Sequence, residues 1–80
     1  MFFGIVLYMY YDDHAPAHFH ALYEGSEAIF QIDGELINGR ISQRAARLIK
    51  EWASLHRVEL DENWHRACHD LPLNWIEPLR

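Results

Sequence analysis

The spacing of apolar residues changes period once along this 80-residue chain, and the change falls at residues 39–40. Before it, Ile5, Leu7 and Met9, then Phe19, Ala21 and Tyr23, then Ala28, Phe30 and Ile32 recur at every second position, as on one face of a strand. After it, Leu48, Trp52 and Leu55, with Ile49 beside them, recur at the spacing of a helix face. Strands first and helices after predict an α+β fold: a small antiparallel three- to four-stranded sheet with one face covered by two C-terminal helical segments. Eighty residues supply one core, so a single domain over residues 1–80 is expected, a β meander at 1–39 followed by a helical half with an extended tail at 40–80.

Turn residues set the expected boundaries. Strands are predicted at 5–11, 18–23, 27–33 and 35–37, separated by the proline-containing segment 12–17, a turn around Gly25, and the tight-turn dipeptides Asp33-Gly34 and Asn38-Gly39. The face opposite the core set carries Tyr8, Tyr10, His18, His20, Glu27, Ile29 and Gln31, a wetter and chemically richer surface. Ser42 is placed to cap a helix over 43–57. Beyond it Leu60, Trp64, Ala67 and Leu71 form a stripe turned roughly 100° from the first, which predicts a kink or a second helix starting near 58–61. Pro72 and Pro78 end helical structure, and the tail is expected to lie over the core, anchored by Trp75 and Ile76. Trp52, Trp64 and Trp75 are all expected in the core.

Half the residues are apolar, as in a folded globular protein, and the one cysteine, Cys68, cannot form an internal disulfide. Packing, self-association or a metal must stabilise the domain, and the reducing cytoplasm is the expected compartment. The longest apolar run, 5–11, is far too short to span a membrane, and no basic region precedes it as in a signal peptide. Residues 1–39 hold six acids and no Lys or Arg, while residues 40–80 are nearly neutral, for a net charge of −5. That balance counts against non-specific nucleic-acid binding. It also suggests that the acidic front of one copy meets the basic helix face of another, Arg44, Arg47, Lys50 and Arg57, so a homodimer is expected.

The densest chemistry lies in Asp13-His14-Ala15-Pro16-Ala17-His18-Phe19-His20. His18 and His20, two apart on a strand, project to the same side, and His14 on the proline-stiffened loop can fold back toward them. Three imidazoles with Asp13 or Asp12 suit Zn²⁺ or another imidazole-preferring transition metal, the carboxylate acting as ligand or as orienting partner. Without a metal, His14, His18 and His20 could divide general-base and general-acid roles in a hydrolase such as a ribonuclease, with Tyr8 or Tyr10 as further donors. The missing local positive charge weighs against phosphate chemistry. The alternative is that His18 and His20 are half-exposed strand residues bonded to Tyr8, Tyr10 or a carboxylate. A second cluster, His65, Cys68 and His69, has the i,i+4 pair of some zinc sites but lacks the Glu of a metalloprotease helix, and reads as a solvated helix end. His56 reads as a capping or packing residue.

The string Tyr10-Tyr11-Asp12-Asp13-His14-Ala15-Pro16-Ala17-His18-Phe19-His20-Ala21 resembles the signature of a small bacterial family, domain of unknown function 4160. Arg44-Ala45, Glu51-Trp52, Leu55-His56-Arg57, Asn63-Trp64 and Ile76-Glu77-Pro78-Leu79 resemble its later landmarks in the same order. His14, Pro16, His18, Phe19 and His20 match its His-x-Pro-x-His-Phe-His pattern, whereas Ala17 stands where a second proline is often found. The resemblance implies a bacterial single-domain protein, often encoded beside another small protein in a toxin–antitoxin-like pair. The first expectation for function is therefore contact with the partner protein from the neighbouring gene. A His-dependent hydrolase and a structural or regulatory metal site are the other two.

Overall fold

A computed structural model describes residues 2–11 and 15–79. Four strands, β1 (Val6–Tyr8), β2 (His18–Tyr23), β3 (Ser26–Gln31) and β4 (Leu36–Gly39), are followed by α1 (Gln43–Leu55) and α2 (Arg57–Cys68). The strands form one antiparallel sheet in the order β1-β2-β3-β4, packed against the helices, so the fold is α+β as expected. Glu24 and Gly25 both take positive φ, the backbone that a two-residue hairpin between right-twisted strands requires.

Register sorts the faces as the alternation predicts. Phe19 lies opposite Phe30 and Ala21 opposite Ala28, and these join Ile5, Ile32, Ala45, Ile49, Trp52, Ala53 and Leu60 in the buried cluster between sheet and helices. Tyr8, His20, Ile29 and Asn38 run across the other face, with Val6, Leu22 and Glu27 in the neighbouring row. The β3–β4 pairing skips Ile37, because Ile29 faces Asn38 while Phe30 faces Leu36, a bulge that bends the edge strand. Gly39 closes β4 at φ +82°, where a Cβ would lie 2.4 Å from the Glu27 carbonyl oxygen.

Several boundaries differ from expectation. β1 ends at Tyr8, after which Tyr10 brings its ring over His20 instead of extending the ladder. The Ser42 hydroxyl accepts from the Ala45 N–H at 3.1 Å, capping α1, but that helix ends at His56 and α2 begins at once. The buried stripe of α1 is Ala45, Ile49, Trp52 and Ala53, so Leu55, expected inside, is exposed. Asp70, at φ 55°, ends α2 before Pro72 is reached, and the Leu71 N–H bonds the Arg66 carbonyl at 2.8 Å.

Trp75 requires the largest correction: it is 77% exposed and anchors nothing, while Trp52 is buried and Trp64 packs against the core from its margin. Ile76, as expected, and Leu79 pack against the core, and the backbone of the tail is tied down as well. Asn63 donates from Nδ2 to the Asn74 carbonyl at 2.9 Å and accepts the Asn74 N–H at 2.8 Å. The Trp52 indole N–H donates to the Glu77 carbonyl at 2.9 Å, and Arg66 donates to that of Pro72 at 3.2 Å.

Candidate functional site

His18 and His20 are placed by the period of β2, which sends both to the outer face at its first and third residues. Their ring centroids lie 5.3 Å apart, edge to face. Tyr8, opposite His20 in the ladder, stacks on it at 5.3 Å, and Tyr10 meets it edge-on at 4.8 Å. Trp64 of α2 closes over His18 at 5.1 Å. Each imidazole retains 8% of its exposure, so the half-exposed surface expected of them is a covered one. The covering comes from residues distant in sequence, which strand alternation does not report.

Hydrogen bonds orient the cluster. The Ala15–Pro16 peptide is cis, and the His18 Nδ1–H donates to the Pro16 carbonyl at 2.7 Å. In the neutral ring this bond puts the lone pair on Nε2, the tautomer that a metal ligand or general base of that orientation uses. The Tyr8 hydroxyl donates to Glu27, one strand beyond His20. That bond to a carboxylate, with lesser contributions from burial and from the negative charge, raises the Tyr8 pKa well above the ordinary tyrosine value.

Of the proposed site residues, the structure brings His18 and His20 together; His14, Asp13 and Asp12 lie outside the described residues. Among the described residues no group of three His, Cys, Asp or Glu is arranged to hold a metal ion. The His65 and His69 rings meet at a tilt, 4.1 Å between centroids, on an exposed helix end, where the His69 Nδ1–H donates to the His65 carbonyl, and Cys68 is exposed beside them. His56 both caps and packs: it joins the two helices, donates from Nδ1 to Glu59 at 2.6 Å and contacts the Trp52 ring.

Sequence reasoning missed Asn63 and the part played by Glu27. Asn63 falls between Leu60 and Trp64 on the apolar stripe of α2, and a polar residue there signals a buried hydrogen bond. Nothing in the spacing of Glu27 marks it as the acceptor for Tyr8, 19 residues earlier.

Fold and site together define a small α+β domain with an imidazole pair enclosed by aromatic rings on the outer face of its sheet. The chain belongs to the family described as Domain of unknown function (DUF4160), which matches residues 4–65 and so includes Tyr8, His18, His20, Asn63 and Trp64 but not the tail. No curated protein and no solved structure is significantly similar to it. Among the described residues, no helix is long and apolar enough to cross a membrane.

Proposed function

We propose that this chain is the interaction component of a two-protein bacterial module and grips its partner through the open end of the outer sheet face. The observation that carries the reading is the cross-strand pair Val6 and Leu22, 39% and 40% exposed in adjacent strands. Half-buried Ile29 extends this apolar patch, and Glu24 and Glu27 border it in a half of the chain without Lys or Arg. Such a surface suits a protein partner with an apolar patch edged by basic residues, and the toxin–antitoxin-like pairing implied by the family resemblance supplies a candidate in the neighbouring gene's product.

Co-expression of the two proteins tests this. Stable co-purification is expected of the unaltered chain and of the His18→Ala/His20→Ala variant, and loss of the complex is expected of Leu22→Glu, with circular dichroism showing that the fold persists. A folded Leu22→Glu chain that co-purifies as before would sink the reading.

A second reading, a His-dependent hydrolase or a Zn²⁺ site, is favoured by the His18–His20 juxtaposition and by the Pro16 carbonyl that orients His18. It requires the exposed Tyr10 ring to move aside and His14 or Asp13 to complete the set. Growth arrest on expression that is lost in folded His20→Ala, or stoichiometric metal in untagged protein that is lost in the double variant, would replace the first reading with this one.

A further inference from the structure

The structure assigns a second site to this chain: a cleft beneath the C-terminal tail that takes a small, uncharged, largely apolar molecule bearing an aromatic ring. The cleft has a volume of about 420 Å³. Its floor is built by β1 and the residue after it, β2 and the helices, chiefly Leu7, Met9, Phe19, Trp52 and Leu60, and residues 73–76 and Pro78 of the tail form its roof. Sites for small organic ligands occupy roughly 300–1,000 Å³ and are walled as this one is, by aliphatic and aromatic groups with a few polar atoms.

The lining chooses the ligand. About a quarter of the chain is charged, yet no charged side chain is among the described residues that line the cleft. An ion placed there would lose water and gain no counter-charge, so the occupant is neutral. Phe19 and Trp52 already meet edge to face at 5.9 Å within the floor, an arrangement that accepts a further flat ring. Polar capacity comes from Asn63, since Asn74 is engaged with Asn63 through its backbone and with Glu62 through its side chain. The Asn63 amide uses one N–H and one lone pair on the tail backbone and retains one of each, enough for a single ligand carbonyl or hydroxyl.

The roof is suited to such a guest. Its backbone is tied at Asn74 and Glu77, while the Trp75 ring between those ties lies largely in water at the mouth of the cleft. An indole left there gains burial only if it closes on something below it. Neither Val6 nor Leu22 lines the cleft, so this inference is independent of the docking face proposed above.

Titration of the full-length chain with N-phenyl-1-naphthylamine, a neutral aromatic probe that fluoresces in apolar surroundings, tests the assignment. The expected result is saturable binding of one probe per chain. Leu73→Trp, which fills the cleft from the roof, should weaken binding roughly tenfold or more. Leu22→Glu, on the sheet face, should leave it unchanged. Circular dichroism establishes that each variant is folded; should Leu73→Trp fail that check, Met9→Trp fills the same space from the segment just after β1. Fluorescence that never saturates, a folded filling variant that binds as tightly as the unaltered chain, or loss of binding in Leu22→Glu would each overturn the assignment.

Discussion

Asn63 uses both ends of its side-chain amide on the backbone of one tail residue, and the two bonds make a buried polar group compatible with an apolar helix stripe. Asn63→Ala would leave the Asn74 N–H and carbonyl without that partner, so a loss of about 1–3 kcal/mol is expected in urea denaturation, together with faster proteolysis beyond residue 69. An unchanged urea midpoint would show that the tail is held by other contacts. Tyr8 makes a different prediction. Its hydroxyl is favoured in the protonated form by Glu27, so its folded pKa lies above its unfolded one. The stabilisation is fully present below the ordinary tyrosine pKa near 10 and is lost as pH rises beyond it, because the unfolded chain gives up the proton first. In a spectrophotometric titration Tyr8 should ionise above the ordinary tyrosine value, and Glu27→Gln should bring its transition down. The chemistry of Tyr8 as a possible donor was readable from its place on the outer face; its acceptor was not, since that depends on which strand pairs next to β2.

The four strands were legible because glycine and short polar residues interrupt runs of alternating apolar character, and β2 carries that pattern from His18 to Ala21 before Leu22 breaks it. The edges were less so. Whether β1 continues past Tyr8, or β4 carries a bulge, is decided by pairing across the sheet and by the Tyr10 ring turning onto His20. Gly39 marks one such edge: its backbone lies in the left-handed region and against β3, so Gly39→Ala is expected to cost more than about 1 kcal/mol, read as a lowered melting temperature. In α1 the expected cap is the observed one, and Ser42→Ala should destabilise the protein by about 1 kcal/mol in the same measurement. The rotation of apolar positions beyond residue 57 revealed a second helix axis, and the junction falls at His56, slightly before the place the stripe alone suggests.

For the molecule as a whole, the uneven charge along the chain is met by folding in part. Lys50, Arg57 and Arg66 pair with Glu35, Asp61 and Glu62 within the chain, whereas among the described residues no ion pair engages Arg40, Arg44 or Arg47. Surface pairs of this kind add little stability, and Arg44 lies over the Phe3 ring at 5.9 Å. A dimer that weakens with added salt is the expected result of light scattering at micromolar concentration; a monomeric mass at low salt would count against self-association. The sequence by itself determined the strand and helix order, the core face of the first three strands and the adjacency of His18 and His20, because backbone geometry translates spacing of a few residues directly into direction. Only the tertiary structure decided that those imidazoles are covered by Tyr8, Tyr10 and Trp64, that Trp75 is left in water, and that the tail roofs a cleft. Each of these depends on contacts between segments far apart along the chain, and short-range periodicity carries no information about which distant segments meet.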